Sequence, residues 1–198
     1  MHDLVTRRTF LALEIPEDLR GSLVEVQSCL RDLPFPIRWV GVETMHISLQ
    51  FLGESRDEKV EAISNGLGSV IEGQVAGACV LKEVGAFPRL SKPRNLHVRV
   101  DESSGRLAGL VRTIRTFTES LGFPGEERAF RPHVTLGRIR DRRSGTELAD
   151  SVLRWEDCVF GSFEPQEVVY YESFLEPDGV RHVPLARFPL SRSVGKTS

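Results

Sequence analysis

The chain has 198 residues, of which 40% are hydrophobic and 27% charged, a composition typical of a globular protein with a sizeable core. The net charge of -2 argues against an extended surface that wraps a polyanion, because affinity for a nucleic acid backbone grows with the phosphates that Lys and Arg neutralise. A local basic cleft remains compatible with that charge. No run approaches the length of a membrane span and the N-terminus has no long apolar core, so the sequence predicts a cytoplasmic protein.

The cysteines indicate the redox environment. Cys29, Cys79 and Cys158 are odd in number and widely spaced, and each has an apolar neighbour. This pattern predicts buried thiols in a reducing compartment rather than a disulfide framework or a zinc site.

The first part of the chain alternates predicted strands and helices. An apolar run at 9–15 predicts a strand, and Pro16 with the acidic residues after it predicts the start of a helix. Apolar residues then recur every three or four positions until a turn at 34–36. The next predicted elements are a strand at 38–40, a strand at 46–52, a helix from Asp57, a strand at 75–84 and a loop at 85–88.

The remainder repeats this order. Ser103 or Ser104 is the predicted cap of a helix that ends at Gly122. The other predicted elements are a strand at 95–100, a strand from His133, a polar linker at 140–146, a helix around Leu148, and strands at 159–163, 167–174 and 183–190. The recurrence predicts a duplicated fold of two lobes related by a pseudo-two-fold axis, which would place equivalent strands across a shared cleft.

Two of the predicted strands carry the same motif, a histidine followed two positions later by a hydroxyl residue. The first copy has His46 and Ser48, and the second has His133 and Thr135. Because residues i and i+2 share a face of a strand, each copy presents one imidazole and one hydroxyl to the same side. The duplication predicts that the two copies face each other.

Paired imidazoles favour acid–base chemistry. A neutral histidine can accept a proton from an attacking water while a protonated one donates to the leaving oxygen, and a pKa near 6.5 makes both roles accessible. The hydroxyl groups would donate to oxyanions, so phosphoryl chemistry fits best. A metal site is not favoured, because no third ligand has helical or hairpin spacing from either histidine. The other histidines, predicted to be structural or at the rim, are His2, His97 and His182.

Other side chains near the motifs are candidate substrate contacts. Arg138 lies five positions after the second motif histidine, so it reaches the cleft only at a strand end or a β-bulge, where it would contact a substrate phosphate or nucleotide. Phe51 has the same offset in the first motif. Phe130 and Phe10 belong either to the core or to a stacking surface for a base. The candidate substrate contacts are thus Arg138, Phe51, Phe130 and Phe10.

Nearly the whole chain resembles the 2H phosphoesterases, and within them the RNA 2′,3′-cyclic phosphodiesterases, also described as 2′-5′ RNA ligase-like proteins. The segments that carry the resemblance are 8–16, 39–40, 46–53, 85–88, 93–94, 130–138 and 173–175 with Gly179. The resemblance implies that His46 is the proton donor and His133 the proton acceptor. It implies that Ser48, where threonine is commoner, and Thr135 hold the phosphate.

The resemblance also implies a fold and an activity. The implied fold is α+β and bilobal, with two antiparallel β-sheets facing a central cleft and helices on the outer faces. One domain would span 1–190 with swapped terminal strands, and 191–198 would be a disordered tail. The implied reaction is metal-independent hydrolysis of an RNA 2′,3′-cyclic phosphate end to a 2′-phosphomonoester, without any cofactor.

Other activities stay open. They are 2′-5′ RNA ligation, another cyclic-nucleotide phosphodiesterase activity, and non-catalytic binding of RNA ends. The expected partner is an RNA or oligonucleotide with a 2′,3′-cyclic phosphate end. No membrane and no obligate protein partner is expected, and the chain is predicted to be a monomer.

Overall fold

The computed structural model describes residues 6–32, 36–126, 128–139, 145–177 and 179–192. Its elements are β1 (Thr6–Glu14), α1 (Glu17–Arg31), β2 (Ile37–Trp39), β3 (His46–Arg56), α2 (Asp57–Val70), β4 (Cys79–Phe87), β5 (Asn95–Asp101), α3 (Arg106–Ser120), β6 (His133–Ile139), α4 (Gly145–Leu153), β7 (Val159–Phe163), β8 (Glu167–Glu176) and β9 (Gly179–Pro189). The predicted order of strands and helices is therefore confirmed. The predicted tail beyond Arg192 and most of the linker at 140–146 lie outside the described residues.

The strands of the described residues form a curled antiparallel sheet with the order β7-β4-β5-β6-β3-β1-β8-β9, and β2 pairs with β6. The central strands β3 and β6 share a single residue pair, Ile47 opposite Val134. This narrow junction separates two antiparallel half-sheets. The predicted α+β fold of two sheets around a cleft is thus confirmed, with the two sheets continuous at one point.

Each half-sheet contains a strand from the other half of the sequence. The strand β4 pairs with β5 and β7, although it follows β3 and α2 in the chain. The strand β8 pairs with β1, so that Thr9 lies opposite Glu172. Neither half of the sequence therefore completes its sheet alone.

The main hydrophobic core lies between one face of the sheet and the helices. The helices α1, α2 and α3 bury the apolar stripes that their periodicity predicts. These stripes are Leu23, Val26 and Leu30; Val60, Ile63 and Leu67; and Leu107, Leu110 and Ile114. Burying an aliphatic side chain of this kind stabilises the fold by about 1.5–3 kcal/mol. The other face of the sheet lines the cleft.

The structure differs from the predictions at three places. The predicted caps Ser103 and Ser104 are wrong, because the carboxylate of Glu102 accepts a hydrogen bond from the Leu107 amide (3.1 Å). The predicted loop at 85–88 is strand up to Phe87, since these residues pair with the start of β5. Cys29 is exposed rather than buried, although Cys79 is buried as predicted.

No helix in the described ranges combines the length and the apolar character needed to cross a membrane.

Candidate active site

The two histidine motifs meet at the junction between β3 and β6. Ile47 and Val134, which lie opposite each other there, are fully buried in the main core. Successive residues of a strand point to opposite faces, so the residues on either side of this pair face the cleft. These cleft-facing residues are His46, Ser48, His133 and Thr135. The register places each histidine opposite the hydroxyl residue of the other motif, so the two histidines are diagonal neighbours on the cleft face.

The same local contact orients both imidazoles. Nδ1 of His46 donates a hydrogen bond to the carbonyl oxygen of Thr44 (2.7 Å), and Nδ1 of His133 donates to that of Arg131 (2.8 Å). Because a carbonyl oxygen only accepts, each ring carries its hydrogen on Nδ1 and keeps Nε2 for proton transfer. Nε2 of His46 lies 3.0 Å from the Ser48 hydroxyl, which donates to the neutral ring and accepts from the protonated one.

A β-bulge follows the hydroxyl residue in each motif. Leu49 has no partner in β1 and Leu136 has none in β5, because the pairing shifts by one residue at these points. Each bulge reverses the alternation of faces, so the residues five positions after the histidines return to the cleft face. These residues are Phe51, whose side chain is 68% exposed, and Arg138, which is also exposed. The bulge that Arg138 needs to reach the cleft is therefore present.

Two histidines that are predicted to be structural lie beside the motif histidines. The ring of His182 is 5.3 Å from that of His46, and the ring of His97 is 5.3 Å from that of His133. Both contacts are edge-to-face. The described residues nevertheless contain no group of three His, Cys, Asp or Glu side chains that could hold a metal ion. The alternation of side chains along β5 places His97 on the cleft face, and this position could be predicted from the sequence. No feature of the sequence around His182 indicates its position.

A phenylalanine completes the packing of each histidine pair. Phe10 lies 4.9 Å from the ring of His46 and 4.7 Å from that of His182. Phe87 stacks on His97 at 4.1 Å and meets the edge of His133 at 4.9 Å. Each motif histidine is thus held between a second histidine and a phenylalanine.

Gly85 makes room for the ring of His97. A Cβ atom at position 85 would lie 3.1 Å from Nε2 of His97, closer than ordinary packing allows. Nδ1 of His97 is buried and has no hydrogen-bond partner among the described residues, and the same holds for Nδ1 of His182. The contacts that hold these two rings among the described residues are packing contacts with neighbouring rings.

Burial controls the protonation of three of these histidines. It lowers the pKa of His97 to about 4 and that of His182 to about 4, each helped by the charge of the adjacent motif histidine. Burial also lowers the pKa of His46, and the positive charges of His133 and Arg138 lower it further, whereas the hydrogen bond to the Thr44 carbonyl raises it in part. The effect of Arg138 on His46 is consistent with a guanidinium that faces the cleft.

His97 is expected to make the stability of the protein depend on pH. In the unfolded chain its pKa is about 6.5, whereas burial lowers the pKa in the fold to about 4. Between these values the unfolded chain binds more protons, so the free energy of unfolding falls as pH falls from about 6.5 to about 4, by about 1–3 kcal/mol for His97. Below about pH 4 its contribution no longer changes.

Urea unfolding of the wild type and of His97→Phe at pH 4, 5, 6 and 7 measures this contribution. The variant is expected to show a smaller loss of stability on acidification, since phenylalanine cannot take up a proton. The comparison is between the changes of the free energy of unfolding with pH, so a different absolute stability of the variant does not affect it. Equal pH slopes in the two proteins would contradict the assignment.

Two predicted substrate contacts are placed differently by the structure. Phe10 is 2% exposed and packs with Ala12, Val169 and Tyr171 beneath His46, so direct stacking on a base is the wrong interpretation of this residue. Phe130 is half-buried and packs against the main core, and its role as a substrate contact stays a prediction. For Phe10, burial of the aromatic ring prevents contact with a ligand.

Known proteins are similar to this chain over most of its length. An RNA 2′,3′-cyclic phosphodiesterase of Methanocaldococcus jannaschii is 30% identical over 172 residues, which cover 87% of this chain and 94% of the relative. An RNA 2′,3′-cyclic phosphodiesterase of Thermotoga maritima is 31% identical over 178 residues, with 87% and 89% covered. The crystal structure of the Thermus thermophilus protein TT0787 superposes with a TM-score of 0.74 at 25% identity, over 92% of this chain and 97% of that one.

The sequence profile of one family matches the chain twice. The profile of the LigT like phosphoesterases covers residues 13–97 and again 98–182, so that each match contains one histidine motif. The boundary between the two matches lies within β5, close to the middle of the duplicated fold. The resemblance to the 2H phosphoesterases is thereby confirmed, and the chain belongs to the LigT-like phosphoesterase family.

Proposed function

We propose that the protein hydrolyses the 2′,3′-cyclic phosphate at the end of an RNA strand to a 2′-phosphomonoester. Nε2 of His133 accepts a proton from water, whose oxygen forms the new bond to phosphorus. The bond between phosphorus and the 3′ oxygen breaks, and that oxygen leaves with the proton on Nε2 of His46. The two imidazoles supply both proton transfers, so the proposed reaction needs no metal.

The hydroxyl residues and the exposed residues of the cleft hold the substrate in this proposal. Ser48 and Thr135 donate hydrogen bonds to the non-bridging phosphate oxygens, where charge develops. Arg138 contacts the terminal nucleotide through its guanidinium, and Phe51 stacks on the base. Stacking of a base on an aromatic side chain contributes about 1–3 kcal/mol, which a 68% exposed phenylalanine on the cleft face can provide.

The observation that carries the proposal is the paired orientation of the imidazoles. Both Nδ1 atoms donate to a backbone carbonyl two residues earlier, and both Nε2 atoms are therefore kept for chemistry on the cleft face. Relatives that cover most of the chain are named RNA 2′,3′-cyclic phosphodiesterases, which supports this substrate over other phosphodiesters.

A short RNA that ends in a 2′,3′-cyclic phosphate tests the proposal directly. Incubation with the protein in EDTA is expected to yield only the 2′-phosphomonoester, identified by chromatography against both isomers. Release of the 3′-phosphomonoester would contradict the assignment of the leaving oxygen. Binding of this RNA without any product would instead indicate a binding module.

A further inference from the structure

Gln27 places an amide group within the apolar stripe of α1. Its side chain is 2% exposed and shares the buried face of the helix with Leu23, Val26 and Leu30. Burying an amide costs free energy unless its polar atoms are hydrogen-bonded, and an aliphatic residue on this face would avoid that cost. The contacts of the amide must therefore account for its presence.

The side chain of Gln27 bonds two backbone carbonyls that are far apart in the sequence. Nε2 donates a hydrogen bond to the carbonyl oxygen of Val40 (2.8 Å) and another to that of Leu136 (2.9 Å). Carbonyl oxygens only accept, so a side chain with two N–H groups is required here, and neither a carboxylate nor an apolar side chain provides them. Gln27 thus joins the segment that follows β2 to β6.

The two carbonyls lie where one edge of β6 changes its partner strand. On this edge Val134 pairs with β3, and from Gly137 onward β6 pairs with β2. Leu136 stands between these pairings, and its carbonyl also accepts a hydrogen bond from the amide of Val40 (2.9 Å). On the other edge of β6, Leu136 is the bulge residue that has no partner in β5. Gln27 therefore bonds the backbone of the bulge itself.

The bulge at Leu136 decides which face the end of β6 presents. In a regular ladder, Leu136 would take the place of Gly137 opposite Leu96, and Arg138 would turn away from the cleft. The motif residues that precede the bulge would keep their face. Holding the bulge thus affects the arginine and leaves the two reactive groups of the second motif on the cleft face.

The bulge of the first motif has a different contact with a helix. Thr118 of α3 is fully buried and donates to Oε1 of Gln50 (3.0 Å), the residue that follows the bulge at Leu49. That hydrogen bond joins two side chains. Of the two motif bulges, only that of the second has its backbone held by a helix side chain within the described residues.

We propose that Gln27 is a positioning residue of the active site, whose amide holds the bulge at Leu136 and thereby keeps Arg138 on the cleft face. Through Val40, the same amide ties the bulge to the segment that leads into the first motif, so both motifs depend on it. The inference rests on the proposed function for its effect on activity, whereas its effect on the pairing of β5 with β6 does not.

Gln27→Met tests the role of the amide, because methionine has a similar length and no donor. With a short RNA that ends in a 2′,3′-cyclic phosphate, kcat/KM is expected to fall about tenfold, divided between kcat and KM as in Arg138→Gln. Ser55→Ala is the matched control: it removes another fully buried polar group, whose hydroxyl oxygen lies 2.8 Å from that of Thr9, and should keep the wild-type kcat and KM. Circular dichroism verifies that each protein is folded.

A double-mutant cycle shows whether the amide acts through the arginine. In the background of Arg138→Gln, the further change Gln27→Met is expected to lower kcat/KM less than twofold, because the group that it displaces is already gone. A tenfold loss in both backgrounds would indicate an independent structural effect and would overturn the inference. Wild-type kcat/KM in Gln27→Met alone would overturn it as well.

NMR separates this inference from the proposed function. Cross-strand contacts of Leu96 are expected with Gly137 in the wild type and with Leu136 in Gln27→Met, whether or not the protein hydrolyses any cyclic phosphate. Unchanged contacts in the variant overturn the inference and leave the proposed function intact. The wild type alone gives a further check, since both side-chain amide hydrogens of Gln27 are expected to exchange slowly with solvent, and fast exchange of either would contradict the two hydrogen bonds.

Discussion

Alanine in place of His133 is expected to lower kcat for an RNA 2′,3′-cyclic phosphate by about 10²–10⁴-fold, and alanine in place of His46 by a similar factor. Each substitution removes an imidazole whose Nε2 is kept for proton transfer on one side of the junction between β3 and β6. The losses are measured by steady-state kinetics, with circular dichroism to verify folding. His182→Phe, which keeps a ring against Phe10, is the matched control and should lose far less activity.

The pH profile distinguishes the two motif histidines. His46 must be protonated to donate, and burial lowers its pKa in the free protein, so kcat/KM is expected to fall as pH rises through that lowered pKa. A bound phosphate anion favours the imidazolium and raises the pKa again, which moves the alkaline limb of kcat to higher pH than that of kcat/KM. Coincident alkaline limbs, or full activity in both alanine variants, would refute the assigned roles.

Valine in place of Gly137 is expected to reduce the free energy of unfolding by about 2–3 kcal/mol. A Cβ atom at this position would lie 2.6 Å from Cγ2 of Ile37 and 3.1 Å from the indole of Trp39, so β2 has to move away from β6. Urea unfolding of the wild type and of Gly137→Val measures this difference in the free energy of unfolding.

A substitution at Gly21 is the control for Gly137→Val, because Gly21 has no close neighbours. It lies on an exposed side of α1, and a Cβ atom there would meet no other atom within 4 Å. Gly21→Ala is therefore expected to stabilise the protein by about 0.5–1 kcal/mol through the better helix propensity of alanine. A Gly137→Val protein as stable as the wild type would show that β2 is not held closely against β6.

The sequence predicts those features that local periodicity determines. The apolar stripes of α1 and α2 recur within a few residues, so the helices could be located before any contact between them was known. The shared pattern of His46 with Ser48 and of His133 with Thr135 is equally local, because two positions along a strand define one face. These features include both candidate catalytic groups.

Features that depend on pairing between strands could not be predicted in this way. The bulges at Leu49 and Leu136 exist only relative to β1 and β5, and they decide on which face Arg138 lies. The approach of His182 to His46 requires β9 to reach the first half-sheet through its pairing with β8. No property of the residues around His182 indicates that approach.

The exchange of β4 and β8 between the half-sheets also constrains how the chain folds. Thr9 meets Glu172 only after nearly the whole chain has been brought together, and such distant pairing slows folding because chain entropy is lost before the contacts form. Neither half-sheet is complete without a strand from the other half of the sequence. The two halves are therefore expected to fold and unfold in one cooperative step.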